Sequence, residues 1–219
     1  MSELYKPNIC IELHYLPGIP YLALLAGSRE LVLEQCENYQ KRSFRNKTIL
    51  AAANGELVLG IPLEKGKHQR QPIRETRIAY QLPWQNQHWQ SIQSAYGNAP
   101  FFDDYAPEIQ PFYRKSYTWL FDWNLALLEK IKTLLHLDFS LAFTENYQTE
   151  CDPGWFDARN QILPKKTSST FSWNYQPPVY PQVFMEKHGF LPDLSILDLL
   201  FCTGPEATLL LESACSFNR

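Results

Sequence analysis

Hydrophobic and polar residues near the amino terminus follow a pattern that predicts a strand, a helix and a second strand. The segment NICIELHYL (residues 8–16) alternates sufficiently for a strand, and Pro17-Gly18 ends it. The next segment, IPYLALLAGS, is apolar at helical spacing, and RELVLEQC has the pattern of a second strand. A unit of this kind, about 30 residues long, is compatible with two parallel strands joined by a right-handed crossover.

A hairpin is predicted immediately afterwards. TILAAA (residues 48–53) and ELVLGIPL (residues 56–63) have strand character and flank Asn54-Gly55, a strong signal for a two-residue turn. Residues 64–77 are polar and largely basic. We expect them to form either a mobile surface loop or a flap over a site.

The remaining pattern is mainly helical. Trp84, His88, Ile92 and Tyr96 recur every four positions and so share one helical face. The longest amphipathic stretch covers residues 116–138. Two apolar helices are expected at 194–201, with Asp193 or Ser195 as cap, and at 205–213, with Pro205 at the first position.

These elements predict an α/β fold: a mixed sheet with an N-terminal strand-helix-strand unit, a hairpin and packed helices. FSLAFT (residues 139–144) adds a short strand, whereas residues 145–178 lack clear periodicity and are expected to be rich in loops. The 219 residues contain no internal repeat and no low-complexity linker. We therefore expect a single domain over residues 1–219.

Composition and charge narrow the function classes. The hydrophobic share of 45% is typical of a soluble globular protein. A pI of about 6.0 and a net charge of −3 argue against a general nucleic-acid binder, although a local basic site is allowed. No apolar run approaches the roughly 20 residues that span a membrane. The amino terminus lacks the apolar core of a secretory signal, so a cytoplasmic location is expected.

The cysteines and histidines do not have the spacing of a metal site. The five cysteines are scattered without CxxC pairs, which indicates reduced thiols rather than disulfides or zinc ligands. The five histidines show neither HxH nor HExxH spacing, so we predict no metal. Phosphate-binding glycine motifs and GxSxG are absent, and no cofactor is indicated. The loop HYLPGIPY (residues 14–21) remains an alternative place for a phosphate.

Aromatic residues are unusually frequent: 6 Trp, 12 Tyr and 13 Phe. Several cluster with polar residues, as in FFDDYAPEIQPFY (residues 101–113). Rigid aromatic rings with polar edges suit a pocket for a planar or sugar-like ligand. The alternative is an aromatic-rich fold with many irregular segments.

One basic cluster is the main candidate for ligand binding. The segment YQKRSFRN (residues 39–46) places Arg42 and Arg45 among aromatic residues, with Gln40 and Asn46 available to bind hydroxyl groups. Arginine can bind phosphate or carboxylate through two parallel hydrogen bonds. The sequence thus predicts a small anionic ligand such as a nucleotide sugar, and the alternative is a solvated charged surface.

Four blocks together resemble the WbqC-like protein family. They occur in the same order as in the family, from about residue 10 to residue 207. The blocks are HYLPGIPYLALLA, YQKRSFRN with ANGELVLGIPL, HWQSIQSAYGNAPFFDDYAPEI, and YPQVFMEKHGFLPDLSILDLLFCTGPEA. The resemblance implies a bacterial protein of a kind that is often encoded in gene clusters for surface-polysaccharide biosynthesis. It also implies a role in modifying an amino sugar by acyl or aminoacyl transfer.

Two hypotheses follow from the resemblance. In the first, the chain is a transferase: Arg42 and Arg45 hold the diphosphate of a nucleotide-linked amino sugar, Tyr15 and Tyr105 flank a ring, and His88 is the general base. In the second, the chain is a non-catalytic binding protein for a small ligand or a partner. His88 is then a buried helix residue packed between Trp84 and Ile92. Neither hypothesis involves nucleic acid or a membrane, and the oligomeric state is left open.

Overall fold

A four-stranded parallel sheet is at the centre of the structure, a computed structural model that describes residues 6–64, 71–164 and 171–217. Parallel and antiparallel pairs lie in separate sheets: a central sheet of order β5-β2-β1-β6, a hairpin β3-β4 and a small pair β7-β8. The strands are β1 Asn8–Glu12, β2 Glu30–Glu34, β3 Lys47–Ala52, β4 Gly55–Gly60, β5 Ser140–Phe143, β6 Trp155–Asp157, β7 Asn174–Tyr175 and β8 Cys215–Ser216.

Helices α2 and α6 pack against the hairpin, and the predicted α/β class is confirmed. The helices at 84–96, 120–134, 196–203 and 207–214 fall where the apolar spacing predicts them. The helices are α1 Ile19–Ala26, α2 Trp84–Tyr96, α3 Phe102–Arg114, α4 Leu120–Leu134, α5 Met185–His188, α6 Ile196–Thr203 and α7 Ala207–Ala214.

The strand-helix-strand unit determines which side chains meet at the edge of the sheet. β1 and β2 run parallel with Glu12 opposite Glu34 at their carboxyl ends. β6 pairs with the other side of β1, so that Cys10 is opposite Asp157. β5 pairs with β2. Because all four strands point the same way, the residues that follow them converge on one edge.

The hairpin is confirmed, but its turn lies one residue earlier than predicted. Ala52 pairs with Gly55, which leaves Ala53 and Asn54 as the turn. Gly55 has φ +104°, a conformation that side-chain-bearing residues rarely adopt. The glycine therefore follows the turn and lets β4 begin in register, instead of occupying the turn itself.

Helix α3 was not predicted as a helix, because it contains Pro107 and Pro111. Both prolines are exposed. Its buried residues recur at helical spacing and form one apolar stripe against the core. That stripe consists of Phe102, Ala106, Ile109 and Tyr113.

Ser195, one of the two predicted caps, is the one that begins α6. Its hydroxyl accepts a hydrogen bond from the amide of Leu197 at 3.4 Å. The same residue also connects α6 to the hairpin, because its amide donates to the carbonyl of Ile49. This contact fixes the C-terminal helices against β3.

Two predicted irregular regions extend partly outside the described residues. Of the predicted flap at 64–77, residues 65–70 lie outside; the described part contains a 3₁₀ turn, Ile73–Glu75, and a bridge between Asn38 and Pro72. Of residues 145–178, only short strands β6 and β7 are regular among those described, and residues 165–170 lie outside. No helix within the described ranges combines the length and apolar character needed to cross a membrane.

Candidate functional site

The candidate site lies at the carboxyl ends of the four parallel strands. In open α/β sheets, ligands bind in the crevice outside these strand ends, where loops replace the ladder. A cavity of about 280 Å³ lies there, on the sheet face that carries Cys10 of β1 and both Val32 and Glu34 of β2. Its walls come from the ends of β2 and β5, the start of β6 and the segment between β5 and β6. The lining residues are Cys10, Val32, Glu34, Phe143, Thr144, Glu145, Asn146, Gln148, Glu150, Cys151, Asp152, Trp155 and Arg159.

The cavity is acidic. Among the described residues, four carboxylates line it, Glu34, Glu145, Glu150 and Asp152, and one cation, Arg159. Phe143 and Trp155 supply apolar surface in the same walls. Because surplus negative charge attracts cations and repels anions, the cavity suits an amine with an apolar or ring-shaped body rather than a phosphate.

Glu34 is the buried carboxylate of this cavity. Its Oε1 accepts hydrogen bonds from the amide of Cys36 at 2.7 Å and from the hydroxyl of Thr144 at 2.9 Å. Of the residues that the structure describes, Arg159 is the donor to its Oε2, with Nη1 at 3.0 Å. A carboxylate oxygen has two lone pairs, so Oε2 can accept a further donor from a ligand.

Arg159 connects the strand ends to the segment that covers them. It forms two hydrogen bonds to Asp157, at 3.0 and 2.7 Å, and donates to the carbonyl of Gln148 at 2.7 Å. Burial alone would raise the pKa of Asp157, but the hydrogen bonds from Arg159 outweigh burial and hold it below the ordinary range. The guanidinium thus fixes both the charge of Asp157 and the position of the cavity wall.

A second buried ionic cluster surrounds Arg45 and includes Glu12, which is opposite Glu34 in the β1–β2 register. The Arg45 guanidinium binds Glu37 through two hydrogen bonds, Nε to Oε1 at 2.6 Å and Nη2 to Oε2 at 2.5 Å. Nη2 also donates to Asn160 at 3.0 Å, and Nη1 lies 3.7 Å from Glu12. Burial would lower the pKa of Arg45, but the hydrogen bonds that it donates to Glu37 and the charges of Glu12 and Glu37 raise it. The arginine is charged and fully enclosed.

His14 completes this cluster as a neutral imidazole. Burial lowers its pKa, although Glu12 opposes that effect. His14 Nε2 donates to Glu12 Oε1 at 3.1 Å, and the other oxygen of Glu12 accepts the amide of Asn160 at 2.9 Å. Burial would raise the pKa of Glu12, but the bond from His14 and the charge of Arg45 lower it overall. Glu12 is therefore ionised beneath the sheet edge.

The predicted basic cluster is divided by the fold. Arg45 is buried and bound by the chain's own carboxylates. Arg42 and Gln40 are exposed, and Arg42 lies in a turn with φ +60°. Asn46 is buried; its amide donates to the carbonyl of Ile61 at 2.9 Å and its oxygen accepts from Tyr39 at 2.9 Å. The structure therefore does not bring the two arginines together on one anion.

The other residues predicted to bind a ligand or act in catalysis lie near helices α2 and α3, away from the acidic cavity. Tyr15 is fully buried, and its hydroxyl contacts Tyr113 at 2.8 Å and His88 Nδ1 at 3.0 Å. Tyr105 is half-buried on α3 and packs against the core. His88 is 6% exposed on α2, with its ring against Trp84. Neither Tyr15, Tyr105 nor His88 lines the acidic cavity, and a catalytic role for His88 stays a prediction.

The buried position of His88 predicts a pH-dependent stability. Burial lowers its pKa from the ordinary value of 6.5 to about 4. Between these values the unfolded chain binds a proton that the folded protein does not. The stability that His88 contributes is therefore complete above about pH 6.5 and is lost as pH falls towards 4. Urea unfolding across this range should show a steeper decline for the wild type than for His88→Gln.

A matched substitution separates this effect from the loss of any histidine. His136 is exposed at the end of α4, so His136→Gln should leave the decline attributed to His88 in place. An NMR titration of the His88 imidazole with a midpoint near 6.5 would contradict the predicted shift.

The loop at residues 14–21 has little backbone left for a phosphate. Tyr15 donates its amide to the carbonyl of Phe44 at 2.9 Å, and Ile19 donates to Leu194 at 2.9 Å. Pro17 and Pro20 have no amide hydrogen. A metal is not indicated either, since no group of three or more His, Cys, Asp or Glu suited to an ion occurs within the described ranges.

Sequence reasoning did not single out the charged residues at this edge of the sheet. Glu12 and Glu34 lie inside the predicted strands but end the observed ones, and a charge within an otherwise apolar strand is a signal that could have identified them. Arg159 lies in the segment expected to be irregular, where no periodicity marks it. Its hydrogen bond to Glu34, 125 residues away in the sequence, forms only in the folded chain.

Comparison with known proteins agrees with the resemblance. The chain matches the WbqC-like protein family over residues 13–155 and 157–209. It is 26% identical over 228 residues to Uncharacterized protein Rv1507c of Mycobacterium tuberculosis (strain ATCC 25618 / H37Rv), a match that covers 92% of this chain and 96% of that protein. No solved structure matches the chain. With almost its whole length matched, this α/β protein belongs to the WbqC-like protein family.

Proposed function

We propose that the chain is a transferase that modifies the amino group of a small amine, with an amino sugar as the substrate class and surface-polysaccharide biosynthesis as the setting. The acidic cavity at the strand ends carries this proposal. An ammonium group fits beside Glu34, whose Oε2 keeps an unused lone pair. The apolar surfaces of Phe143 and Trp155 fit the body of a sugar ring.

The proposal gives the carboxylates a chemical task. An amine attacks an acyl group only when it is deprotonated, so a nearby base must accept a proton. Glu34 is held in one orientation by Thr144 and Arg159 and faces the cavity, which meets the geometric requirement for such a base. If the sugar is nucleotide-linked, its diphosphate would lie outside the acidic cavity, since the surplus of carboxylates repels it.

A thermal-shift comparison tests the amine preference. We expect glucosamine or a nucleotide-linked amino sugar to raise the melting temperature, because a ligand that binds the native state stabilises it by mass action. The N-acetylated form of the same sugar should produce a much smaller shift. Glu34→Gln should abolish the shift, whereas Glu129→Gln, an exposed glutamate on α4, should preserve it.

Arg42→Ala tests, in the same assay, the anion site that the sequence predicts at Arg42 and Arg45. A shift produced equally by acetylated and free nucleotide sugars, and lost in Arg42→Ala, would replace the acidic cavity with an anion site on the exposed turn. No shift from any amine would also contradict the proposal.

A non-catalytic binding protein is the second candidate. The position of His88 favours it, because this imidazole is buried against Tyr15 and Trp84 and does not line the acidic cavity. An acyl-transfer assay distinguishes the transferase from the binding protein. The protein is incubated with acyl-coenzyme A and an amino sugar that binds, and the product is measured by mass spectrometry. An N-acylated product that Glu34→Gln no longer forms supports the transferase, and binding without product supports the second candidate.

A further inference from the structure

Two cysteines far apart in the sequence meet in the wall of the acidic cavity. Cys10 lies in β1, and Cys151 lies in the segment between β5 and β6. Both line the cavity, and each sulfur lies close enough to the other to change its pKa. Cys10 is also paired with Asp157 across the β1–β6 ladder, and the charge of Asp157 raises the pKa of both thiols. The strand register and the cavity wall thus bring the two side chains to the same place.

We propose that Cys10 and Cys151 form a reversible dithiol–disulfide site that an oxidant such as hydrogen peroxide closes. This inference does not depend on the identity of the cavity's ligand. It assigns chemistry to two residues that the transfer reaction leaves unused.

The environment assigns different roles to the two thiols. Cys10 is 4% exposed, whereas Cys151 is half-buried and accessible from the cavity. The pKa of both thiols is raised, mainly by burial; the neighbouring sulfur raises that of Cys10 further and offsets part of the rise at Cys151. Cys151 is therefore the sulfur that ionises more readily. The positive charge of Arg159 lowers the pKa of both.

The reaction balances in two steps. The Cys151 thiolate attacks one peroxide oxygen, the O–O bond breaks, and hydroxide leaves to become water, which produces a sulfenic acid. The Cys10 sulfur then attacks the sulfenic sulfur, the S–O bond breaks, and a second water leaves with the Cys10 proton. Two thiols are oxidised by two electrons in total, and one peroxide is reduced to two waters.

Oxidation would fix the cavity wall. Cys151 belongs to the segment that supplies Glu145, Gln148, Glu150 and Asp152 to the lining. A bond to β1 would attach this segment covalently to the sheet. The bridged residues are about 140 positions apart, and a cross-link that closes so long a loop restricts the unfolded chain strongly.

Non-reducing peptide mapping tests the pairing. The reduced protein is treated with hydrogen peroxide, its remaining thiols are blocked with N-ethylmaleimide before unfolding, and the digest is analysed by mass spectrometry. We expect one cross-linked peptide that joins Cys10 to Cys151, is reversed by dithiothreitol, and forms faster at about pH 8.5 than at about pH 6.5. The oxidised protein should melt about 5 °C higher or more.

Matched variants make the result specific. Cys151→Ser and Cys151→Ala should both abolish the cross-link and the gain in melting temperature. Cys36→Ser should retain both, because Cys36 is likewise a half-buried free thiol but does not line the cavity. The proposal is overturned if peroxide only converts Cys151 to sulfinic acid, if the cross-link joins other cysteines, or if all thiols remain free.

Discussion

Arg45→Ala is expected to lower the free energy of unfolding by about 3–5 kcal/mol. The substitution leaves Glu37 without its two hydrogen bonds and Glu12 without its neighbouring cation, in a region where both carboxylates are almost fully buried. Uncompensated buried charge is costly because neither water nor another cation can reach it. Urea unfolding at neutral pH measures the loss.

The matched control is Arg42→Ala in the same turn. Arg42 is exposed, and its removal should change the free energy of unfolding by no more than about 0.5 kcal/mol. If both variants lose little stability, and Arg45→Ala instead loses binding of a phosphate-bearing ligand, then Arg45 serves a ligand and the internal ion pair is not its main role.

Trp123→Ala is expected to cost about 3–5 kcal/mol as well. Trp123 is fully buried on α4 and packs against Tyr15, Trp84 and Tyr113 at ring-centroid distances of 5.3, 4.8 and 5.7 Å. Removing the indole leaves a cavity that these rings cannot fill without moving. Thermal or urea unfolding measures the effect.

Leu209→Ala is the control for this second prediction. Leu209 is 68% exposed on α7, so its truncation should change stability little. A Trp123→Ala protein with unchanged stability and lost ligand binding would indicate that the aromatic group forms a ligand pocket. The expected result assigns these rings to the core instead.

The aromatic residues show how composition alone can mislead. Their frequency was compatible with a sugar pocket or with an aromatic-rich core, and the sequence could not separate the two. The structure buries Tyr15, Tyr96, Trp123 and Phe201 in the core. Phe143 and Trp155, in contrast, line the acidic cavity. The core interpretation therefore holds for the first group, whereas a ligand pocket at Phe143 and Trp155 stays a prediction.

Local pattern determined much of the fold. The strand-helix-strand unit, the hairpin and helices α2, α4, α6 and α7 follow from periodicity, which depends on neighbours within one or two turns. Helix α3 was missed because its two prolines oppose a helix locally, while its apolar stripe stabilises one through tertiary packing. Strand β6 was missed because three residues are too few to show a period.

The candidate site was determined by tertiary structure. A basic cluster in the sequence predicted an anion at Arg42 and Arg45, but the fold supplies Arg45 with Glu37 and Glu12 as its anions. The acidic cavity combines residues from β1, β2, β5, β6 and an irregular segment, and Cys10 and Cys151 line it from two of these regions. The family, the α/β class and most elements could be predicted before the structure, because they depend on local periodicity and on blocks of neighbouring residues. Only the parallel alignment of distant strand ends decided which charges neutralise one another and which remain open to a ligand, because electrostatic pairing depends on distance in space and not on separation along the chain.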